Sequence, residues 1–400
     1  MRHNSLGRLQ DYGYTPGNCT VKIGRRGGGV YALSLEDGVL AVSDTLDKVM
    51  AAALDYAANG KICLDPGEYP VKQAIEIPAF SRVMIVGAGV HNTIIKYTGE
   101  DHSSFSTDYA VFKYESDKLV QDSPFNLASN YTVEYSQHLH IADLTIDTQA
   151  ARFMNGLVAV NIDRLFLVNV RFKGYYSSGG SDSNYPSSLV TGFAVYIDTM
   201  ANNEVHLENV KISGYYGAVR IRGDHSYLEN VKVGKAYIAF TLSSGTHYTF
   251  IHPESYLVSQ YHYYFNSSAG RKTVIVNPSI EGSGNSVAFQ VNSWADRPVV
   301  LNPYISGVAG ITNDPGKLIL RGNGFEASGE YTASGDGSTT SFTIPHGLLV
   351  KPGSVAVTAC SADAAGDYYV SWDADNIYVD YKTAPPSGTD NIKLCWRAQA

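Results

Sequence analysis

A short segment of alternating apolar residues recurs along this chain from about residue 138 to residue 325, and it leaves few folds open. The copies read HLHIADLTI, RLFLVNVRF, EVHLENVKI, HSYLENVKV, HYTFIHPES, KTVIVNPSI, PVVLNPYI and GKLILRGNG. Aligned on the polar residue after the apolar pair, their register positions are Asp143, Asn169, Asn209, Asn230, His252, Asn277, Asn302 and Arg321. The copies follow one another at about 19 to 26 residues, except for one gap of about 40 residues that holds an inserted loop. A repeat of this length predicts a β-solenoid.

A second family of short strands alternates with the first. Its members are AVNID (159–163), AVYID (194–198), AVRIR (218–222), AFTLS (239–243), YFNSS (264–268) and AFQVN (288–292). Because successive side chains of a strand point to opposite faces, the second and fourth residues of each segment are expected to face the core. Stacked coils pair in parallel about 4.8 Å apart, so equivalent residues are expected to form ladders along the axis.

Asparagine is the commonest residue at the register position of the first family. The five asparagines are Asn169, Asn209, Asn230, Asn277 and Asn302. Residues of this type stack at turns, where their amides satisfy the groups of a bent backbone. We therefore expect a structural role for them and no part in catalysis.

Composition and charge exclude several classes of protein. Hydrophobic residues make up 44% of the 400 residues and charged residues 17%, which allows a large core and is too little charge for a disordered chain. The net charge of −8 argues against a nucleic-acid partner, because phosphate binding needs a concentrated basic surface. No run of 18 apolar residues is present, so no membrane span is expected.

The N-terminus and the cysteines bear on the compartment and on metal binding. The first residues, MRHNSLGRLQDYGYTPGN, contain no apolar signal-peptide core, so the protein is made and folded in the cytosol if Met1 is the native start. The four cysteines are Cys19, Cys63, Cys360 and Cys395. They are spaced too widely for a metal motif or a disulfide scaffold, and we expect neither a metal nor a cofactor.

The segment from residue 43 to residue 99 carries a set of motifs in a fixed order. An expected helix from Asp44 to Asn59 is followed by the turn DPGEY (65–69), and then by GAG (87–89) with Thr93. This order resembles the N-terminal part of the pectate-lyase-like right-handed parallel β-helix superfamily, in which a helix caps the solenoid. The resemblance covers about residues 40–328 and implies an all-β fold, a right-handed parallel β-helix with an N-terminal capping helix. It leaves the chemistry open, since the superfamily includes lyases, hydrolases, epimerases and viral tailspikes.

Residues 329–400 differ in character from the repeats. Strand-like runs at 340–345, 353–360, 367–372, 376–382 and 390–397 alternate with Gly, Pro, Asp and Asn turns, which predicts a small antiparallel β-sandwich. The stretch resembles the C-terminal modules behind viral fibres and some secreted glycan-acting proteins. Cys360 and Cys395 are expected to meet across two strands, as a disulfide or as two buried thiols. We therefore expect an attachment segment (1–40), a parallel β-helix (41–328) and a β-sandwich (329–400).

Two outward-facing patterns suggest that the chain forms a homotrimer, as tailspikes do. The late copies of the first family carry apolar residues outward: Val274 and Val276, Val299 and Leu301, and Leu318 and Leu320. Apolar residues on both faces of a strand mean that its outer face is covered, either by the sandwich or by neighbouring subunits. An outward column of small residues would permit close approach: Ala159, Ala194, Ala218, Ala239 and Ala288.

The outward residues of the second family form two polar ladders. One is expected to run through Asn161, Tyr196, Arg220, Thr241, Asn266 and Gln290. The other is expected to run through Asp163, Asp198, Arg222, Ser243, Ser268 and Asn292. Two carboxylates and two arginines then lie within about three coils, roughly 10 Å along the axis: Asp163, Asp198, Arg220 and Arg222.

Three interpretations of these ladders are open. In the first the site is catalytic: Asp163 and Asp198, about 5 Å apart, are the acid and base of retaining hydrolysis. Arg220 and Arg222 then hold a uronate carboxylate, or one of them is the base of a lyase. In the second the face binds a glycan without cleaving it. The expected substrate contacts are Asn161, Tyr196, Thr241, Ser243 and Asn266. In the third, Asp198 and Arg222 form only a cross-coil ion pair.

These observations favour a virion tailspike or receptor-binding protein that binds cell-surface polysaccharide and, in one form of the hypothesis, cleaves it. Its expected partners are the polysaccharide, further copies of itself in a homotrimer, and other virion proteins bound through the N-terminus. Its expected location is the virion surface, with an extracellular location as the alternative. The alternative functions are a free polysaccharide lyase or glycoside hydrolase, and a non-enzymatic structural or adhesive surface protein.

Overall fold

The computed structural model describes residues 19–34, 36–79, 81–116, 138–177, 192–199, 204–266, 269–292, 297–313, 317–322 and 324–400. These residues contain one α-helix, α1 (Leu46–Tyr56), and a 3-10 turn (Tyr175–Ser177). The first strands are β1 (Val21–Arg26), β2 (Gly29–Ser34), β3 (Gly38–Ser43), β4 (Lys61–Leu64), β5 (Gly67–Val71), β6 (Ile75–Ile77), β7 (Arg82–Val86), β8 (Thr93–Tyr97) and β9 (Ala110–Glu115).

The strands of the middle part are β10 (His138–Asp147), β11 (Asn155–Val160), β12 (Arg164–Lys173), β13 (Phe193–Asp198), β14 (Glu204–Glu208), β15 (Lys211–Ser213), β16 (Gly217–Arg222), β17 (Ser226–Glu229), β18 (Lys232–Thr246), β19 (Tyr248–Ile251) and β20 (Glu254–Phe265). Those that follow are β21 (Ala269–Arg271), β22 (Val274–Val276), β23 (Ser279–Gly282), β24 (Val287–Val291), β25 (Val299–Leu301), β26 (Tyr304–Ser306), β27 (Gly310–Thr312) and β28 (Ile319–Arg321). The last are β29 (Glu326–Gly335), β30 (Ser341–Pro345), β31 (Ser354–Ala359), β32 (Tyr368–Trp372), β33 (Asn376–Tyr381) and β34 (Gly388–Gln399).

From β4 to β28 the chain is a right-handed parallel β-helix with three sheets along its length. Sheet A contains β4, β7, β10, β12, β14, β17, β19, β22, β25 and β28. Sheet B contains β5, β8, the ends of β10 and β12, β15, the beginnings of β18 and β20, β23 and β26. Sheet C contains β6, β9, β11, β13, β16, the ends of β18 and β20, β24 and β27. Sheets A and C hold the two predicted strand families, whereas sheet B has no counterpart in the prediction.

In the seven coils whose sheet A strands run from β10 to β25, a single residue in left-handed backbone turns the chain from sheet A into sheet B. The residues with this conformation, at φ between 48° and 55°, are Asp143, Asn169, Asn209, Asn230, His252, Asn277 and Asn302. Asparagine and aspartate adopt it more readily than other residues with a side chain. The amide of Asn169 donates to Asp143 Oδ1 at 3.1 Å, and that of Asn230 donates to Asn209 Oδ1 at 3.2 Å. The expected stacking at a turn is therefore present, with amides that bond one another from coil to coil.

The last coil is shifted by one residue from its expected alignment. Leu301 pairs with Arg321, so the corner residue of this coil is Gly322, with φ of 73°. A Cβ atom here would overlap the asparagine amide of the preceding coil, and glycine avoids that clash. As a result Leu320 is buried, whereas Ile319 is partly exposed.

The interior of the solenoid is apolar and closed at its N-terminal end. The inward residues of sheet A have no exposed surface: Ile141, Leu167, Leu207, Leu228, Phe250, Ile275 and Val300. One face of α1 joins the same core through Leu46, Val49, Met50, Ala53 and Leu54. The expected capping helix is thus confirmed, with bounds two to three residues inside the predicted ones.

Strands β1 to β3 extend the first coil as an antiparallel meander. β1 pairs with β2 and, in parallel, with β4. A disulfide between Cys19 and Cys63 joins the start of the meander to β4, so the expectation that these cysteines form no bridge is wrong. Cysteines 44 residues apart give no spacing signal, but parallel pairing of their strands brings their Cα atoms to 5.7 Å. The boundary predicted after residue 40 falls inside β3, and residues 1–18 of the predicted attachment segment lie outside the described residues.

The alanine column expected on the outer surface lies in the core. The five alanines have no exposed surface: Ala159, Ala194, Ala218, Ala239 and Ala288. His262 occupies the position between the last two, fully buried, with its ring nitrogens 2.8 Å from Ser255 Oγ and 3.1 Å from Ser286 Oγ. The small residues therefore serve core packing and give no support to a close approach of subunits.

Residues after 325 form the expected antiparallel β-sandwich. One sheet has the order β29-β34-β31 and the other the order β30-β33-β32. Cys360 and Cys395 form a disulfide across β31 and β34, which decides between the two alternatives. Phe325, Val350 and Ala400 pack against the solenoid core, so the sandwich follows directly on the last coil. The predicted boundary at residue 329 falls inside β29.

Candidate functional site

Two neighbouring strands of sheet C carry the polar residues of the candidate site. β13 supplies Tyr196 and Asp198, and β16 supplies Arg220 and Arg222. The strands pair in parallel, with Tyr196 opposite Arg220 and Asp198 opposite Arg222. The apolar residues between them are fully buried, because the alternation in AVYID and AVRIR turns the polar residues outward. This part of the predicted ladder is confirmed.

Arg220 is held in place by contacts that do not neutralise its charge. Its guanidinium carbon lies 4.7 Å from the centre of the Tyr196 ring, a cation–π contact worth about 0.5–1 kcal/mol at exposed sites. Its Nε donates to Ser243 Oγ at 3.2 Å. Within the described residues no carboxylate forms an ion pair with it. The remaining N–H groups of a positioned guanidinium are therefore available to an anion.

Asp198 is occupied by the two residues beside it. Its Oδ1 lies 3.2 Å from Arg222 Nη1, and its Oδ2 accepts a hydrogen bond from Tyr196 at 3.5 Å. Burial raises the pKa of the Tyr196 phenol, so at neutral pH the phenol is protonated and acts as a donor. The cross-coil ion pair of Asp198 and Arg222 is thus present. Because both side chains are partly exposed, it contributes less than about 1 kcal/mol to the stability of the fold.

The coil before β13 differs from its predicted alignment. Val158 and Val160 of β11 lie opposite the tyrosine and the aspartate of β13. Asn161 and Asp163, which the sequence alignment placed there, follow β11 in the connection to sheet A. β11 is apolar on both faces, because Val158 packs on the outside against Phe193, and a strand without alternation gives no signal for its register.

Asp163 lies in a different polar cluster, at the beginning of sheet A. Its Oδ2 is 4.0 Å from His138 Nε2 and 3.9 Å from Arg164 Nε, and Arg164 Nε is 3.5 Å from Glu204. Burial lowers the pKa of His138 to about 4, helped by the nearby arginines, so its ring is neutral at pH 7. The predicted stacking of Asp163 on Asp198 is therefore wrong, and with it their pairing as acid and base.

Asn161 is a corner residue in this structure. Its φ is 55°, and its side-chain amide donates to the carbonyl oxygen of Ser116 at 2.8 Å. Its backbone N–H donates to the carbonyl oxygen of Asp198 at 3.0 Å. These contacts give Asn161 a role in turning the chain, and they occupy its side-chain and backbone donors, which a substrate would otherwise contact.

Beyond β16 the ladder is partly as predicted. Thr241 lies opposite Arg220, but a bulge places the next serine, residue 244, opposite Arg222 and shifts Ser243 aside. One coil further, Tyr264 occupies the position predicted for Asn266. Asn266 follows β20 and accepts a hydrogen bond from the Asn292 amide at 3.3 Å. Ser267 and Ser268 lie outside the described residues.

Four partly exposed tyrosines, one of them in this ladder and three beside it, were absent from the predicted site. The Tyr216 and Tyr237 rings stack with centroids 5.0 Å apart, and those of Tyr261 and Tyr264 with centroids 5.4 Å apart. Burial raises the pKa of Tyr216 and of Tyr261. The sequence holds a signal for three of them, Tyr216, Tyr261 and Tyr264, in the clusters GYYG and QYHYYF, but 29 tyrosines spread over the chain conceal it.

The outer face of sheet C from β13 to β24 thus combines one positioned cation with hydroxyl, amide and phenol groups. Four strand spacings of about 4.8 Å make this face roughly 20 Å long. A surface of this kind suits an extended ligand that carries an anionic group and many hydroxyls.

The described parts of the chain limit two other kinds of site. In them no three histidine, cysteine, aspartate or glutamate side chains come close enough together to hold a metal ion. Across the same ranges, no helix has the length and apolar character needed to span a membrane. Most of the inserted loop, residues 178–191, lies outside the described residues.

Comparison with known proteins gives similarities of fold. No family model and no curated protein matches this chain. Pectin methylesterase PemA from Erwinia chrysanthemi is 12% identical over 74% of this chain and 81% of its own, with a TM-score of 0.38. ORF18 of Geobacillus virus E2 is 12% identical over 98% of this chain and 87% of its own, with a TM-score of 0.34. The tailspike protein gp49 from Pseudomonas phage LKA1 is 12% identical over 88% of this chain and 92% of its own, with a TM-score of 0.26.

Proposed function

We propose that the outer face of sheet C binds a cell-surface polysaccharide that carries carboxylate groups. The observation that carries this proposal is Arg220, a cation fixed between Tyr196 and Ser243 without a carboxylate partner among the described residues. A planar guanidinium matches the geometry of a carboxylate, and holding it in place beforehand lowers the entropy lost on binding. A uronate or another acidic sugar supplies such a group.

The neighbouring residues suit the remainder of a sugar chain. Thr241 and Tyr264 continue the ladder above Arg220, followed by Gln290. Hydroxyl and amide side chains exchange hydrogen bonds with sugar hydroxyls, and tyrosine rings add apolar surface with a polar tip. Successive sugars of one strand then contact successive coils of the solenoid.

The same geometry favours binding without cleavage. Glycoside hydrolysis by an acid and a base needs two carboxylates about 5 Å or more apart. The residues next to Asp198 in its ladder are Val160 and Arg222, so neither neighbour supplies the second carboxylate. A lyase base must be deprotonated, whereas burial keeps the Tyr196 phenol protonated at neutral pH. The lyase and hydrolase alternatives therefore need residues other than these.

The proposal is tested with a panel of acidic and neutral polysaccharides. Calorimetry on the full chain is expected to detect binding of an acidic member, and Arg220→Ala is expected to weaken it by roughly 10- to 100-fold, as for loss of about 1.5–3 kcal/mol from a charged hydrogen bond. Arg171→Ala, which removes the same charge from sheet B, is the control. Equal affinity of wild type and Arg220→Ala for every polysaccharide would contradict the site, and growth of reducing ends or unsaturated products would contradict binding without cleavage.

We further propose that the protein acts at the surface of a virion, as a tailspike or receptor-binding protein. Two disulfides suit a protein that works in an oxidising, extracellular setting. Attachment to other virion proteins through the N-terminal residues remains part of this proposal, since β1 to β3 place that end of the chain beside the first coil.

A homotrimer also belongs to this proposal. The outer residues of the late strands of sheet A, Val274, Val276, Val299 and Leu301, remain partly exposed in the single chain. The C-terminal sandwich does not bury these side chains, and this favours burial by neighbouring subunits.

A further inference from the structure

Four partly exposed tyrosines on three successive coils of sheet C form one group, the tyrosine cluster: Tyr216, Tyr237, Tyr261 and Tyr264. The backbone N–H of Tyr237 donates to the carbonyl oxygen of Tyr216 at 3.0 Å, and their rings stack with centroids 5.0 Å apart. On the next coil the rings of Tyr261 and Tyr264 stack at 5.4 Å. Burial raises the pKa of the Tyr216 phenol, and the other three phenols raise it further, which places all four close together.

The tyrosine cluster is neutral and rich in hydroxyl groups. Burial is the first cause of the raised pKa of Tyr216 and of Tyr261, and the other causes are neighbouring phenols. These phenols are therefore protonated at neutral pH, and each hydroxyl can both donate and accept a hydrogen bond. Within the described ranges, the hydroxyls of Tyr216, Tyr237 and Tyr261 form no hydrogen bond with another residue. Ring surface and open hydroxyl groups thus lie together, without a charge among them.

Tyr264 connects the tyrosine cluster to the ladder of Arg220. It lies opposite Thr241, which in turn lies opposite Arg220, so two strand spacings of about 4.8 Å separate the tyrosine from the arginine. The side-chain amide of Asn292 donates to the Tyr264 hydroxyl oxygen at 3.2 Å. Because this contact uses the oxygen, the phenol proton is left for an acceptor on a ligand. A short oligosaccharide held at Arg220 therefore reaches the tyrosine cluster.

We propose that the tyrosine cluster is a subsite for a neutral sugar, so that the ligand of sheet C contains neutral as well as acidic sugars. The inference rests on the proposed function, which supplies the acidic sugar at Arg220. A pyranose ring has apolar C–H groups on its faces and hydroxyls on its rim, and these match aromatic rings with polar tips. A charged sugar is disfavoured at the tyrosine cluster, because its charge would lose water without gaining a charged partner.

The experiment uses neutral oligosaccharides, which lack the carboxylate that Arg220 is proposed to bind. The full chain is titrated by calorimetry with the hexamers of glucose, mannose, galactose and N-acetylglucosamine, and at least one is expected to bind. Tyr261→Ala is expected to weaken that hexamer roughly tenfold, because the ring contact and the hydroxyl are both lost. Tyr261→Phe, which keeps the ring, is expected to weaken it about threefold. Tyr304→Ala, which removes a tyrosine 59% exposed on sheet B, is the control and is expected to keep the wild-type affinity.

The outcomes separate this subsite from the proposed function. If an acidic polysaccharide binds through Arg220 and none of the neutral hexamers binds, the tyrosine subsite is overturned and the proposed function stands. If a neutral hexamer binds through Tyr261 and no acidic polysaccharide binds, the reverse holds. Wild-type affinity in both Tyr261 variants, or an equal loss in Tyr304→Ala, would also overturn the subsite. Thermal unfolding checks that each variant is folded, and Tyr261→Phe decides the matter if Tyr261→Ala is not.

Discussion

At the scale of single residues, the position that decides the shape of each coil is the corner between sheets A and B. One residue in left-handed backbone changes the direction of the chain there. This residue is usually asparagine, which adopts the conformation more readily than most residues with a side chain. The amides then bond from coil to coil, as between Asn230 and Asn209. The recurrence of asparagine is visible in the sequence because the conformation restricts the residue type so strongly.

A substitution pair at Asn209 tests this account. Asn209→Ala leaves a residue with a Cβ atom in left-handed backbone and removes the side-chain oxygen that accepts the hydrogen bond from Asn230. We expect it to lower the free energy of unfolding by about 1–2 kcal/mol. Asn209→Gly removes the same amide without the backbone cost and is expected to be less destabilised. Thermal and denaturant unfolding of both variants measure the order. An alanine variant as stable as the glycine variant would show that backbone conformation is not what the corner selects.

The register of the candidate site depends on the same kind of local signal. The pairing of Tyr196 with Arg220 is predictable because both strands alternate cleanly between apolar and polar residues. The sequence alignment assigned Asp163 to the wrong position because the strand before it, β11, is apolar on both faces and gives no signal for its register. The tyrosine clusters of sheet C are hard to recognise as part of a site, since phenol rings suit core and surface alike and 29 tyrosines are spread over the chain.

At the scale of elements, sheet B shows what a periodic pattern conceals. In strands such as Lys211–Ser213 only one residue, Val210, separates the corner Asn209 from the strand, so the sequence ENVKI reads as a single strand. The alternation shifts by only one residue at the corner, where two polar residues separate the buried Leu207 and Val210, and so short an interruption does not mark the start of a new sheet. The helix, the order of the coils and the C-terminal sandwich were predictable, because each has its own composition or turn residues.

The effect of the bridge between Cys19 and Cys63 belongs to the scale of elements, because the bridge ties the residues just before β1 to β4. Replacing both cysteines by serine is expected to lower stability by about 2–4 kcal/mol, mostly through greater freedom of the unfolded chain. The loss should be local, with faster hydrogen exchange in β1 to β3 and little change in the late coils. Replacing Cys360 and Cys395 is the matched control, and its effect should stay in the sandwich. Unaltered exchange in β1 to β3 would show that strand pairing alone holds the meander.

At the scale of the whole molecule, the outer face of sheet A changes character along the axis. The early coils present Phe166, His206 and Glu208, whereas the late coils present Val274 and Val276 in the same two columns. Rings with carboxylates suit a ligand from solution, and aliphatic side chains suit a protein surface. The late coils of sheet A are therefore the part of this face that suits the proposed subunit contact.

The proposed trimer follows from the late half of this face and is tested by introducing charge there. Val276 and Leu301 lie opposite each other on neighbouring coils and both point outward. Changing both to glutamate places two like charges in a contact that excludes water, which costs several kcal/mol per subunit, on the order of the penalty for an unpaired buried charge. We expect the variant to be monomeric in sedimentation and mass photometry while each solenoid stays folded, because neither side chain faces the core. Ser306→Glu on sheet B is the control and is expected to remain trimeric. A monomeric wild type, or a trimer that survives both glutamates, would mean that sheet A is not where the subunits meet.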